Sequence, residues 1–172
     1  MAVLSRGHFE VDLKLFKLRA ELSEDDRQCA WELYTEISTR VAVVGKPGQK
    51  TTNFDGELYA ESLDSLYRFF DEARGIMRAF PVGKITIGTQ DHLGVLIHAY
   101  IRDILRPFLE TWHTDFRHWW EHESTKTLPP FDRQMHYPKR TEFLKDWAIV
   151  RWFMRKLQAK LVSTYKLVDV DA

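Results

Sequence analysis

The stretch YAESLDSLYRFFDEARGIMRAF, residues 59–80, decides the fold. Its apolar members Tyr59, Leu63, Leu66, Phe70, Ala73, Met77 and Phe80 recur at alternating intervals of four and three. Those intervals keep the side chains on one face of a helix, whereas a half-buried strand alternates at every second residue. The alternation is also the seam along which antiparallel helices pack. A helix is therefore expected from about Glu57 to Phe80, with Pro81 and Gly83 stopping it.

Matching seams lie on both sides. Upstream, Ala30, Leu33, Ile37, Val41 and Val44 form one stripe. Ser23 with Asp26 makes a capping-box-like start, and Glu24, Asp25 and Asp26 suit the positive helix end. Gly45 and Pro47 end this helix, and the polar linker VGKPGQKTTNFDG, with three glycines, is expected to be a mobile loop. Downstream, Thr89 is a good N-cap for a helix carrying Leu93, Ile97, Tyr100, Ile104 and Phe108. A last helix begins near Pro138 and carries Phe143, Trp147, Val150, Met154, Leu157 and Leu161. Four long helices with matching seams predict an all-α dominated chain, an antiparallel four-helix bundle.

The termini follow another period. Phe9, Val11, Leu13 and Leu15 alternate with polar residues, then the phase slips to Phe16, Leu18, Ala20 and Leu22. A strand with a bulge, or two short strands, fits this. The tail YKLVDVD alternates weakly. The expected organisation is one domain over 1–172: a strand segment at 1–22, the bundle at 23–165 and a tail at 166–172. An isolated strand pair leaves edges open, so a terminal strand could join a second chain and make a homo-oligomer.

Composition narrows the function classes. The chain has 25 basic and 25 acidic residues and no formal net charge. It lacks the global field that draws a protein onto nucleic acid or anionic lipid, so nucleic acid is possible but not favoured as a partner. A single cysteine, Cys29, rules out an internal disulfide framework and suits a reducing compartment. With no leader or membrane-spanning run recognised, the expected location is the cytoplasm. Charge is local: Lys139–Lys166 holds eight basic residues against two acidic, and Asp55–Glu72 six acidic against one basic. The expected reading is complementary pairing between neighbouring helices, or a solvated face. The functional alternative is a phosphate-binding strip of Arg151, Arg155, Lys156 and Lys160.

The stretch LRPFLETWHTDFRHWWEHE, residues 105–123, matches three catalytic patterns. In H-x-x-E-H, His118 and His122 could share a zinc ion. The third ligand such a site needs would have to come from Asp132, His136, Glu142 or Asp146 downstream, and the spacing alone is a weak signal in a stretch this rich in His and Glu. In E-x-x-H, Glu110 and His113 are half of a di-iron motif whose second copy is missing. His113 and His122 are nine positions apart and face opposite sides of a helix, so the two metal readings do not merge. No metal or other cofactor is expected. In R-x6-H, Arg106 and His113 resemble the signature of HEPN ribonucleases, small helical bundles that act as dimers. The resemblance implies His113 as acid or base and Arg106 as stabiliser of the phosphate transition state. Seven positions place both on one face, and Pro107 is a candidate kink. Against catalysis stands a structural reading. The long helix breaks at Pro107 or near His113-Thr114-Asp115, Thr114 caps a new short helix, and Trp112, Phe116, Trp119 and Trp120 pack one end of the bundle.

The segments ELYTEISTR, from Glu32 to Arg40, and LRPFLETWH, from Leu105 to His113, are similar to segments of uncharacterised bacterial helical proteins, often actinobacterial. That group is associated with conflict and phage-defence loci. The resemblance implies an accessory protein without established chemistry. Glu36, Arg40, Arg106 and His113 each lie at or beside an apolar stripe, and an inter-helix network of these four is expected, as a clasp or a ligand pocket. The first reading is a non-enzymatic adaptor acting through protein contacts, with a partner from the same operon and a role in antiphage defence. The alternatives are a HEPN-like, metal-independent ribonuclease and a small-ligand or nucleotide sensor.

Overall fold

The computed structural model describes residues 24–80, 93–122 and 127–168, together with the backbone of 2–4 and 9–11. These residues are predominantly helical. The helices are α1 (Glu24–Ser38), α2 (Val41–Val44), α3 (Tyr59–Ala79), α4 (Leu93–Tyr100), α5 (Arg106–His122), α6 (Pro130–Gln134) and α7 (Arg140–Tyr165). A π-helical turn, Ile101–Leu105, joins α4 to α5. Helix α1 packs on α7 and α3, α3 packs on α5, and α2 sits between α3 and α7. Among the described residues no helix is long and apolar enough to cross a membrane.

The seams build one core. Phe143, Trp147, Val150, Met154, Leu157 and Leu161 of α7 are all buried, as are Leu93, Ile97, Tyr100, Ile104 and Phe108. On α3 the seam shifts slightly. Phe69 is fully packed, while Phe70 and Met77 are only partly buried.

The stripe of the first helix does not run through. Thr35, Ser38 and Thr39 bend their hydroxyls back onto the carbonyls of Trp31 and Thr35. Such bonds compete with helix propagation, and Arg40 is extended at φ −111°. The register restarts in α2, so Val41 is 42% exposed and Val43 takes its place in the core.

The third helix is also corrected. No new helix starts at Thr114, which lies within α5. The irregularity falls before Pro107 instead. The Arg106 N–H donates to the Ile101 carbonyl, five residues back. Proline has no N–H to donate and its ring crowds the preceding turn, and a π turn relieves both.

At the N-terminus, Ala2–Leu4 pairs antiparallel with Phe9–Val11, with Val3 opposite Glu10. The expected strand beyond Val11, the phase slip, and the caps at Ser23 and Thr89 lie outside the described residues. The tail does not open as a strand. Tyr165 is the last residue of α7, and Lys166 closes it in the left-handed conformation at φ 51°.

Candidate functional site

The polar features cluster where α3 begins, α5 ends and α6 leads into α7. Helix α3 has no side-chain cap of its own at Leu58. Gln134 of α6 supplies one from a distance. Its Oε1 accepts from the Tyr59 N–H at 2.9 Å, and its Nε2 donates to the Glu57 carbonyl at 3.0 Å. This fixes α6 against the start of α3.

Between α3 and α5 lies a cleft of about 230 Å³ whose lining includes Glu61, Asp64, His113, Arg117, Trp120 and Glu121. His113 Nε2 is 3.3 Å from Asp64 Oδ1, and the imidazole stacks on the Tyr67 ring at 5.2 Å. Arg117 Nη2 is 3.7 Å from the same carboxylate oxygen. An aspartate that orients an imidazole leaves the other ring nitrogen for a ligand. The sequence singled out His113 but not Asp64 or Tyr67. Both sit on α3, whose pairing with α5 no motif encodes.

On the neighbouring face of α5 a second cleft, about 270 Å³, is lined by Asp115, His118, Trp119, His122, Tyr137 and Lys139, with Pro138 at its edge. Tyr137 Oη donates to Asp115, and Lys139 Nζ reaches it at 2.6 Å. Burial alone raises the Asp115 carboxyl, but the hydrogen bonds from Lys139 and Tyr137 outweigh it and hold the group below the usual carboxylate range. His118 and His122 stack at 4.5 Å, and His122 Nδ1 contacts the His118 carbonyl at 2.9 Å. Among the described residues no group of three or more His, Cys, Asp or Glu is placed to hold a metal ion. His113 and His122 open onto different clefts, as their helical phase requires.

The expected four-residue network is not assembled. Glu36 and Arg40 do pair, with Nη2 to Oε2 at 2.5 Å. Arg106, however, is 60% exposed at its side chain and lies along the surface on Glu110, at 2.7 Å. His113 turns instead to Asp64 on α3. Each acid is four residues from its arginine, and this local pairing takes both guanidinium groups. The Arg106–His113 pair of a HEPN-like site is therefore not brought together within one chain.

Nor do the basic residues of α7 form one strip. Arg151 is completely buried. Its Nη2 donates to Glu57 and to the Val41 carbonyl, Nη1 to the Asn53 carbonyl at 2.9 Å, and Nε to that of Ala42. Its guanidinium lies over Phe54 and Trp147, 4.3 and 4.8 Å from the ring centroids. Arg155 donates to the carbonyls of Val44, Gln49 and Lys46. Both arginines thus bind the loop between α2 and α3, and that loop is pinned rather than free. Lys156 stays exposed beside Trp152, and Lys160 is half-buried. Cys29 is a packed thiol; burial, with Glu32 and Asp26 adding to it, pushes it up to about 12.

Helix α6 shows an inverted pattern. It buries Arg133 and Gln134, while Phe131 is 52% exposed and Met135, just past its end, 55%. No family model, curated protein or solved structure matches the chain.

Proposed function

We propose that this protein is a non-enzymatic adaptor that acts through protein contacts, with the face carrying α6 as the contact surface. The observation that supports this reading is the inversion of α6. Two of its polar residues are turned inward, Gln134 to cap α3 and Arg133 onto Trp120, while Phe131 and, just past its end, Met135 are left exposed, as is Leu128 shortly before it in the chain. Large apolar side chains grouped on a surface mark contact sites when they adjoin one another. In this reading the long helices α1, α3, α4–α5 and α7 form an antiparallel four-helix bundle that carries α6 as an added element. The setting is a bacterial antiphage defence system, on the strength of the ELYTEISTR and LRPFLETWH segments, and the partner is the product of an adjacent gene.

The test is co-expression with neighbouring gene products and capture on the tagged chain. The double variant Phe131→Asp, Met135→Asp removes apolar surface without touching the core. It is expected to keep its thermal transition and lose the partner. A partner retained in full by this folded variant overturns the assignment of the contact face. A second reading, a small-ligand sensor, is favoured by the cleft at Asp64 and His113. A thermal shift with a nucleotide, abolished by His113→Ala, supports it.

A further inference from the structure

Among the described residues two buried arginines lie over aromatic rings, and one shows what the other lacks. Arg151 over Phe54 and Trp147 gives its protons to three backbone carbonyls and Glu57. Arg133 lies still closer to its ring, 4.1 Å from the centroid of Trp120 and 5.8 Å from that of Trp119. It is 8% exposed. Yet its Nε and Nη2 are buried with no acceptor, and so is the indole Nε1 of Trp119. The other buried indoles are served: Trp112 donates to Asp146 and Trp147 to the Ala42 carbonyl. A stacked ring offsets part of the cost of a buried cation, but it accepts none of the in-plane N–H groups. Buried donors without acceptors are rare and call for a missing partner.

We infer that Arg133, with Trp119 and Trp120, is a receptor for a carboxylate side chain of an acidic, apolar peptide segment of the partner protein. Nε and Nη2 are the two nitrogens of one guanidinium edge, and that edge matches the two oxygens of a carboxylate. Trp119 adds a third donor nearby. Phe131 and Met135, two residues to either side of Arg133, supply the apolar contact that a free anion would not need. Charge complementarity thus fixes the occupant as a segment carrying glutamate or aspartate among apolar residues. Water does not reach the two nitrogens, so docking has to displace α6 outward by a small amount. A helix of five residues, held on one side by Gln134, allows that. The inference rests on α6 being the contact face.

The test is an NMR titration of the full chain, following Arg133 Nε–H and Trp119 Nε1–H. The probes are acetyl-Leu-Glu-Glu-Leu-amide, its glutamine counterpart, and acetate. The acidic peptide is expected to shift both resonances saturably, at a concentration about 10-fold lower than the glutamine peptide, the worth of one charge-assisted bond. Phe131→Asp should weaken the acidic peptide about 10-fold by the same scale. Arg133→Met, or Arg133→Lys if the first does not fold, should abolish the shift at Trp119. Equal effects of the two peptides, or acetate acting as well as the acidic peptide, overturn the proposal. The two readings fail separately. Partner capture lost in the Phe131/Met135 variant without any carboxylate shift sinks the receptor alone. A carboxylate shift with capture unaffected sinks the contact face alone.

Discussion

At the scale of the residue, Arg151 explains two features that the sequence presents as separate. The polar, glycine-bearing linker after α2 has the composition of a mobile loop, and α7 has the basic spacing of a phosphate strip. Each is the other's partner. The linker's carbonyls need donors, and Arg151 and Arg155 carry the guanidinium groups that meet them. Burial lowers the proton affinity of Arg151, and Glu57 works against that loss. Arg151→Met should therefore leave the Glu57 carboxylate buried without a counter-charge and cost about 3–5 kcal/mol. Urea unfolding measures this, and a loss under about 1 kcal/mol, the scale of an exposed pair, would show that the ion pair is not buried in solution. Arg106 makes the opposite point. Its spacing to His113 is legible in the sequence, but Glu110, four residues away, is the partner it takes.

At the scale of the element, periodicity carried most of the information. The stripe of α7 was readable residue by residue because burial dictates it. The stripe of α1 was readable only to Ile37, because the hydroxyls that end the helix are as compatible with a helical surface as with its end. Helix α6 could not be read at all: five residues are too few to show a period. The Gln134 cap on α3 spans 75 residues, and no local rule finds it. Of the candidate site, His113 was visible as a residue type, while Asp64, Tyr67 and Arg133 depend on which helices meet. The short helix α2 gives a prediction at this scale. Its C-cap, Gly45, has φ 75° and ψ −178°, a conformation open almost only to glycine. A Cβ there would also lie 2.9 Å from Arg155 Nη2. Gly45→Ala should cost about 1–3 kcal/mol and loosen the following loop, which limited proteolysis within residues 46–56 would report. Unchanged stability and cleavage would show that the loop does not depend on this turn.

At the scale of the whole molecule, the zero net charge hides an ordered distribution. Asp64 of α3 faces His113 and Arg117 of α5, Glu57 before α3 meets Arg151 of α7, and Asp115 of α5 meets Lys139, so stability should respond to pH through a few groups. Asp115 is one. Its folded carboxyl titrates below the ordinary value of 3.8, so the unfolded chain takes up its proton first as the pH falls. The stabilisation is therefore fully present above that value and is lost as the pH drops through the folded one. Unfolding free energies at pH 6 and pH 3 should differ more for the wild type than for Asp115→Asn. Equal differences would remove Asp115 from the acid response.

The clamp on the loop after α2 also orders events in time. Its carbonyls wait for donors that arrive 98 to 111 residues later in the chain. During synthesis, α1, α2 and α3 emerge with Glu57 still uncompensated and the loop without its partners. Closure must await α7, which is synthesised after all of them. Long-range contacts of this kind are slow to form, and they expose the unfinished chain while they are missing. A chain stopped before Arg151 would keep most of its helical sequence and lack both arginines that tie this loop down.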